Sequence, residues 1–294
     1  GVQSKLILDA TSGSQHFRYL DVKDNSGAGG PQLVCADCTD SGNNANWAFS
    51  AITGTAYSDE GTTPLASKTI SISYNGGAAA DATVTDAGGQ YVLSGAAMTG
   101  GTIITLYIDD GTATGVTVLI GSGTSMTGVS IFQNRLILRS ESGSAAVTNV
   151  TLDVANNNGD SDITSVITSA SASAVIIADA KELLIWTGDT FQPGGTVIVD
   201  DIDINGTFTM GTNAITVSGV WDATGGAFSS SGTVTFDSTT SETITSNGST
   251  FSGAVFNCTG GTWTIQDALD VNGIFTLTLG TFAQNGQNVN IAKD

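Results

Sequence analysis

The sequence predicts an all-β fold in which parallel β-helix coils lie on either side of a small β-sandwich. Of its 294 residues, 38 are Gly and only 3 are Pro, and Gly, Ser, Thr, Asn and Asp separate short apolar runs. These residue types disfavour helix interiors. Thr and Val suit the pleat of a strand, whereas Gly, Asn and Asp suit tight turns. The chain is therefore expected to form many short strands.

Three regions differ in the spacing of their strand-like runs. Residues 1–49 hold two such runs and are predicted to be a terminal β-helix-like segment. Residues 50–134 hold alternating strands about ten residues apart, a spacing typical of a small β-sandwich. Residues 135–294 hold runs of three to five residues with Gly or Asn at nearly every corner. This last region is predicted to be a β-helix.

Two internal matches support a repeating architecture. Residues 200–210 (DDIDINGTFTM) align without gaps on residues 267–277 (DALDVNGIFTL). The offset between the two segments is 67 residues, which predicts three coils of about 22 residues each. Residues 5–8 and 20–22 recur as 135–138 and 152–154, so the opening of the chain is predicted to be a second copy of what begins at 135. One coil cannot bury its own apolar face, so coils must stack. Only residues 178–184 have any helical character.

The net charge excludes several partners. The chain carries 8 basic and 27 acidic residues, for a formal charge of −19. Phosphate binding needs Lys and Arg, so a nucleic acid partner is not expected, and an anionic membrane surface is disfavoured. No apolar run approaches the roughly 20 residues needed to span a bilayer. Because the chain opens at Gly1 close to a strand-like pattern, we expect a mature fragment or one section of something longer.

Two acidic loops are candidate calcium sites. The first offers Asn156, Asn158, Asp160 and Asp162, and the second offers Asp37, Asp40 and Asn43. Calcium takes six to eight oxygen ligands, and these loops could supply several. Neither loop has the full EF-hand pattern, and Asx-turns explain the same residues without a metal. Both interpretations stay open, and no other cofactor is predicted.

The three cysteines do not form a disulfide framework. Cys35 and Cys38 form a C-x-x-C pair, for which a local disulfide in an oxidising exterior is the leading interpretation. Zinc would need four ligands, and one more cysteine and one histidine do not supply a convincing set. Cys258 is expected to behave as a small buried hydrophobe.

The sequence does not predict an enzyme. His16 is the only histidine, and no G-x-S-x-G nucleophile motif accompanies it. Asp201 and Asp203 would share a strand face as a glycosidase pair would, yet the repeat changes their spacing to Asp267 and Asp270. A lyase would need basic residues for sugar acids, and residues 182–292 contain no Lys or Arg. The four tryptophans (Trp47, Trp186, Trp221 and Trp263) are expected to pack in the core rather than stack on sugars.

The chain resembles two known groups. Residues 219–228, 232–236, 242–245 and 260–265 are similar to β-helix repeats of very large prokaryotic cell-surface, adhesin-like proteins. Residues 50–120 resemble a carboxypeptidase-regulatory-like (B-type repeat) β-sandwich, through Ile52-Thr-Gly54, Gly61 and residues 83–91 (TVTDAGGQY). The resemblance implies an extracellular scaffold or adhesive role and no catalytic residue.

These observations favour a non-enzymatic structural protein of the cell exterior. The first strands and the last strand, at 288–291, should each present an open coil. We expect copies of the chain, or adjoining segments of a longer chain, to cover these ends, because uncovered edges cause aggregation. Such head-to-tail contacts propagate a filament. The alternative is a glycan- or surface-binding adhesin in which residues 50–134 carry recognition.

Overall fold

The computed structural model describes residues 4–5, 15–27, 33–36, 38–95, 98–143 and 145–292. Strands hold 53% of the residues and helices 5%, which confirms the predicted all-β class and its β-solenoid. The chain divides into two compact units, residues 1–133 with 141–143 and residues 134–140 with 144–294. The predicted boundaries at 49 and 134 stay predictions.

The first unit consists of strands and turns in its described part. Its strands are β1 (Ser4–Lys5), β2 (Gln15–Arg18), β3 (Asp21–Val22), β4 (Asn25–Ser26), β5 (Leu33–Ala36), β6 (Thr39–Asp40), β7 (Trp47–Ala48), β8 (Ala51–Tyr57), β9 (Thr69–Tyr74), β10 (Ala79–Val84), β11 (Gln90–Ser94), β12 (Ile103–Ile108), β13 (Val116–Ile120) and β14 (Ile131–Phe132).

The first seven strands pair in parallel. β2, β5 and β7 form one ladder, and β1–β4 and β3–β6 form two more. Asn46, at a positive φ of 59°, donates through Nδ2 to the Gly27 carbonyl at 2.8 Å. The Trp47 Nε1–H donates to Asn25 Oδ1 at 3.0 Å. Asparagine thus makes these corners, because it tolerates the left-handed conformation and can also bond the neighbouring coil.

The remaining strands of this unit form two sheets that share a core. β8 pairs with β11 and β14 in one sheet, and β9 pairs with β10 and β12 in the other, which β13 extends. Ile52 and Tyr91 of the first sheet and Ile72 and Leu106 of the second belong to one buried cluster. Most residues of β8, β9, β12 and β13 are buried, so these strands lie inside the unit rather than at its surface.

Side chains cover the outer edge of β11. Asp81 Oδ2 accepts a hydrogen bond from the Ser94 N–H at 2.7 Å, and the Tyr74 hydroxyl donates to the Ser94 carbonyl. Burial, followed by the Asp81 charge, raises the pKa of Tyr74, so its hydroxyl remains a donor. These bonds occupy backbone groups that would otherwise be open to another strand.

The second unit contains sixteen strands and two helices in its described part. They are β15 (Arg135–Ser140), α1 (Asn149–Asn156), α2 (Ser161–Thr164), β16 (Ile167–Ser171), β17 (Ala174–Ile177), β18 (Glu182–Ile185), β19 (Thr190–Phe191), β20 (Thr196–Val199), β21 (Asp201–Ile204), β22 (Thr207–Gly211), β23 (Ile215–Val217), β24 (Trp221–Asp222), β25 (Ala227–Ser230), β26 (Thr233–Phe236), β27 (Ser241–Thr245), β28 (Thr250–Ile265), β29 (Leu269–Ala283) and β30 (Val289–Ile291).

Three parallel ladders make this unit a coil stack. The first ladder runs β15–β18–β21–β24–β27. The second runs β19–β22–β25, and the third runs β17–β20–β23–β26. The long strands β28 and β29 bend through all three ladders, and β30 ends the second ladder. Paired residues lie about 20 positions apart, as Ile202 and Trp221 do.

Aromatic side chains fill the interior of the coil stack. Trp221, Phe236, Phe256 and Trp263 are fully buried. The Phe236 ring centroid lies 4.9 Å from those of both Phe256 and Trp263. Such contacts add to the stabilisation from area burial. One coil corner leaves no room for a side chain, since a Cβ on Gly226 would lie 2.1 Å from the Gly206 carbonyl oxygen.

Two short helices lie at the N-terminal side of the coil stack. They follow Val147, which bridges to Phe191, and they precede the β16–β17 hairpin, whose second strand joins the stack. Thr148 caps α1, and its side chain accepts a hydrogen bond from the Thr151 N–H. Both helices pack on β16. Their buried side chains, Leu152, Ala155 and Ile163, cover this end of the apolar interior.

Several sequence expectations about local structure were wrong. The segment 178–184, the only one with any helical character in the sequence, is a turn followed by β18, because Leu183 and Ile185 belong to the apolar column of the coil. The helices lie elsewhere, and the pattern Thr148-x-x-Thr151 was the missed capping signal. The matching sequences at 20–22 and 152–154 also have different secondary structures, because residues 20–22 include β3 whereas residues 152–154 lie in α1.

The 67-residue repeat is wrong as a coil period. Phe208 lies in the second ladder, where it pairs with Phe228, whereas its aligned counterpart Phe275 lies in the third ladder opposite Ala254. The coils are about 20 residues long rather than 22, as the step from Val271 to Ile291 shows. The strands of all three ladders are short and apolar. An alignment by residue type can therefore match a strand of one ladder with a strand of another.

Candidate functional site at the open end of the coil stack

The last coil exposes the side chains that continue the apolar interior. We call residues 274–277, 281–283 and 289–291 the C-terminal face. Leu277 pairs with Phe256, which is fully buried, yet Leu277 is 48% exposed. Ile291 pairs with Val271, which is 1% exposed, yet Ile291 is 48% exposed. The apolar columns therefore end at this face without a cover among the described residues.

Two phenylalanines extend the aromatic column to the same face. Phe275 and Phe282 lie 5.2 and 4.9 Å from Phe256, measured between ring centroids, and 5.2 Å from each other. Both are half-buried, whereas Ala254 and Trp263, their partners one coil earlier, are buried. A further coil placed here would complete the packing of these rings.

The backbone of β30 has a free edge. The Leu269 N–H donates to the Asn288 carbonyl, and the Ala292 N–H donates to the Val271 carbonyl. Residues of a parallel strand bond alternately to either side. The Val289 and Ile291 backbone groups therefore point away from β29, and no described residue pairs with them. This edge can accept another parallel strand.

Charge is sparse at the C-terminal face. Residues 274–291 contain no charged side chain, and residues 182–292 contain no Lys or Arg. Asp270, in the coil below β30, accepts a hydrogen bond from Asn290 Nδ2 at 2.6 Å. The face therefore combines apolar side chains with a free strand edge.

The residues of the first candidate calcium loop end one helix and start another. Asn158 Oδ1 accepts a hydrogen bond from the Asp160 N–H at 3.0 Å, and Asp160 Oδ1 accepts one from the Asp162 N–H at 2.8 Å. Asp160 is thus the N-cap of α2, and Asp162 is buried in its first turn. Carboxylate oxygens of Asp160 and Asp162 lie within 4.8 Å of each other, while Asn156 precedes the loop at the end of α1. Calcium binding here stays a prediction.

The second candidate loop lies only partly within the described residues, since Asp37 falls outside them. Asp40 Oδ1 accepts hydrogen bonds from the Gly42 N–H at 2.9 Å and from Asn44 Nδ2 at 2.6 Å. Asn43 Nδ2 donates to Asp24 Oδ1 at 2.6 Å. These bonds fix the turn between coils, and calcium at this loop also stays a prediction.

Cys35 and Cys38 are joined by a disulfide. Cys35 lies in β5, and Cys38 Sγ accepts a hydrogen bond from the Leu20 N–H at 3.3 Å. Cys258 is a buried free thiol whose pKa burial raises. It donates to the Phe236 carbonyl at 3.7 Å and packs within the coil stack.

The carboxylates that could suggest catalysis bond to backbone or corner groups. Asp201 and Asp203 share one outward face of β21, as predicted, and alternate with the buried Ile202 and Ile204. Asp201 Oδ1 accepts a hydrogen bond from the Val220 N–H at 2.6 Å. Burial raises the pKa of Asp201, and the charges of Asp200 and Glu242 raise it further. The hydrogen bond from the Val220 N–H lowers it by less. The His16 side chain lies outside what the structure describes.

The tryptophans occupy two kinds of position. Trp221 and Trp263 are fully buried in the coil stack. Trp186 is half-buried, with the Arg139 guanidinium 4.9 Å from its ring centroid. Trp47 is half-buried, with ring centroids 5.5 Å from Phe17 and 6.0 Å from Phe49. Packing accounts for these positions.

The sequence matches no protein-family model, and comparisons with curated proteins and with solved structures find no significant similarity. Neither described helix has the length and hydrophobicity required to cross a membrane.

Proposed function

We propose that this chain is a non-enzymatic structural segment of an extracellular fibre or stalk, built by continuation of its coils at the C-terminal face. The single observation that carries the proposal is the 48% exposure of Leu277 above the fully buried Phe256. Burying a large aliphatic side chain is worth about 1.5–3 kcal/mol. Burial of several such side chains, together with pairing of the free strand edge, would stabilise a further coil.

Composition supports a role outside the cell. The disulfide between Cys35 and Cys38 suits an oxidising environment. Only 12% of the residues are charged, and the formal charge of −19 keeps the exposed surface soluble. The described carboxylates mostly hold turns and corners. A scaffold needs these features, whereas a catalyst would need convergent reactive groups in a cleft.

The proposal predicts fibres that depend on the C-terminal face. Negative-stain images and sedimentation should show concentration-dependent filaments of the native protein, and Leu277→Asp should abolish them. Ile198→Asp is the matched control, because Ile198 is exposed on the outward side of an inner coil. Monodisperse monomers of the native protein at high concentration would contradict the proposal.

A glycan- or surface-binding adhesin is a second candidate. We interpret residues 50–134 as the predicted β-sandwich, and a cleft of about 260 Å³ lies beside it, lined by Arg18, Thr83, Val84, Gln90, Tyr91 and neighbouring residues. Arg18 Nη2 donates to the Tyr91 carbonyl at 3.5 Å. Asp86 also lines the cleft, and a guanidinium beside carboxylate, hydroxyl and amide groups can hydrogen-bond the hydroxyl groups of a sugar.

Binding to a glycan array separates the two candidates. An adhesin should bind glycans and lose that binding with Arg18→Ala, whereas Lys68→Ala, which lies outside the cleft lining, should leave it unchanged. Unchanged binding by Arg18→Ala would exclude the cleft as the site.

A further inference from the structure

We propose that the outward side of the third ladder packs face to face on the same surface of a second copy, so that fibres associate side by side. The inference rests on the proposed function, because fibres bring many copies of this surface into line. We call this surface the third-ladder face. Its strands pair in the order β17, β20, β23 and β26, followed by residues 253–256 of β28 and 274–277 of β29.

One column of β-branched side chains runs the length of the third-ladder face. Its members pair from coil to coil without a shift of register, and they are Ile176, Ile198, Thr216, Thr235, Val255 and Thr276. They alternate along their strands with inward residues, such as Val197 and Val234, which are buried. Ile198 and, in the neighbouring column, Ile274 are exposed. Regular β-branched surfaces of this kind are the ones that packed sheets bury against each other.

Charge distinguishes the third-ladder face from the other sides of the coil stack. The first ladder presents Asp201, Asp203 and Asp222 outward, and the outward column of the second ladder ends at Asp270. The paired segments of the third ladder hold no charged residue. Because the chain has a formal charge of −19, two copies meet the least repulsion on this face.

The acidic corner beside the third-ladder face determines which way round two copies pair. Asp200 follows β20 and Asp237 follows β26 at this corner, and Asp237 is exposed. Rotation by a half-turn about an axis along the coil stack brings two faces together and places these corners on opposite edges. A half-turn about an axis along the strands would bring the corners together, and their carboxylates would repel. The paired coil stacks therefore run parallel.

The size of the third-ladder face shows why the contact belongs to fibres rather than to single copies. Strands lie about 4.8 Å apart and rise about 3.3 Å per residue, so the face covers roughly 24 by 13 Å, or roughly 300 Å², on each copy. Stable interfaces bury at least about 600 Å² on each partner. One pair of faces is therefore too small, whereas two fibres present many such faces in series and bind through their sum.

Two charge substitutions on consecutive strands test the contact. Thr235→Asp places a carboxylate within the third-ladder face, and Thr243→Asp places one on the first ladder, where Thr243 pairs with Thr264. Both threonines are half-buried strand residues, so the two variants are matched. Thr235→Val keeps the β-branched shape without charge and is a second control. Circular dichroism and thermal unfolding verify that all three variants fold.

Negative-stain images of the native protein should show fibres in side-by-side bundles, which low-speed centrifugation pellets. We expect Thr235→Asp to give single fibres and to lose most of the pelleted protein, whereas Thr243→Asp and Thr235→Val should bundle like the native chain. Native fibres that stay single, Thr235→Asp fibres that still bundle, or an equal loss in both aspartate variants would each overturn this inference and leave the proposed function standing. If the native chain forms no fibres, the proposed function itself fails, and this inference fails with it.

Discussion

Individual polar residues hold the coil corners through hydrogen bonds to backbone groups. Asp267 accepts hydrogen bonds from the Ser246 N–H at 2.8 Å and from the Asn247 N–H at 2.5 Å. Asn247 Nδ2 in turn donates to the Thr224 and Gly226 carbonyls, each at 3.2 Å. Carboxylates and amides thus satisfy backbone groups that the turns leave open.

Asp201 is the carboxylate whose ionised form the fold disfavours. Burial and the Asp200 and Glu242 charges raise its pKa, so the ionised form lowers stability at neutral pH. Asp201→Asn keeps an oxygen for the Val220 N–H and should raise the free energy of unfolding at pH 7 by up to about 1 kcal/mol after solvent screening. The gain should shrink as the pH falls and Asp201 is protonated. Thermal unfolding from pH 7 to 4 measures it, with the exposed Asp237→Asn as the control.

Asp110 shows the opposite shift. Burial alone would raise its pKa, but the Lys68 ammonium and the Thr112 and Ala113 N–H groups outweigh burial and lower the pKa to about 2. Because an unfolded aspartate titrates near 3.9, the stabilisation is present above about pH 4 and is lost as the pH falls towards 2.

Lys68→Met should therefore cost up to about 1 kcal/mol at pH 7 after allowance for solvent screening. The difference from the native chain should shrink as the pH falls from 4 and vanish only below about pH 2, where Asp110 is protonated in both. Unfolding curves across this range provide the measurement, and a difference that does not change with pH would contradict the role of the charge pair.

At the scale of elements, α1 shows why sequence reasoning missed part of the fold. Its sequence, NVTLDVAN, is rich in residues with poor helix propensity. Tertiary packing of Leu152 and Ala155, together with the Thr148 cap, overrides that propensity. Composition and strand spacing predicted the all-β class and the solenoid correctly, but they carry no information about which short segment crosses the end of the stack.

The candidate site was predictable in outline from the same patterns. An open last coil near 288–291 follows from stacking alone. The exposure of Phe275 and Phe282 depends on the coil step, which the 67-residue alignment misjudged. Contacts between paired residues of adjacent coils set that step. Thr and Gly are so common in this sequence that they do not identify which residues are paired.

Substitutions in α1 should separate its buried side from its exposed side. Leu152→Ala should cost about 2–5 kcal/mol, because it leaves a cavity beneath a fully buried side chain. Val150→Ala is the control on the same helix, since Val150 is 52% exposed, and it should change little. Urea denaturation followed by circular dichroism measures both, and equal costs would show that α1 does not cover the interior.

At the scale of the whole molecule, coils depend on their neighbours. In a solenoid, stability is roughly a sum of coil and interface terms. Phe256→Ala removes an inner aromatic with neighbours above and below, and should cost about 3–5 kcal/mol at any protein concentration.

Leu277→Ala should behave differently, because Leu277 has a neighbouring coil on one side only. In dilute monomer its cost should stay below about 1 kcal/mol. At concentrations where fibres form, the cost should approach that of an inner position. Thermal unfolding of both variants across protein concentrations measures this, and a Leu277→Ala cost that is independent of concentration would contradict coil continuation.

The absence of basic residues from 182 to 292 has a consequence for digestion. Proteases of the trypsin type cleave after Lys or Arg, so this stretch offers them no peptide bond even when it unfolds. Most of the coil stack would survive such enzymes as one large fragment. A polymer made of these chains would thus resist a common class of digestive enzyme through its covalent sequence as well as through its fold.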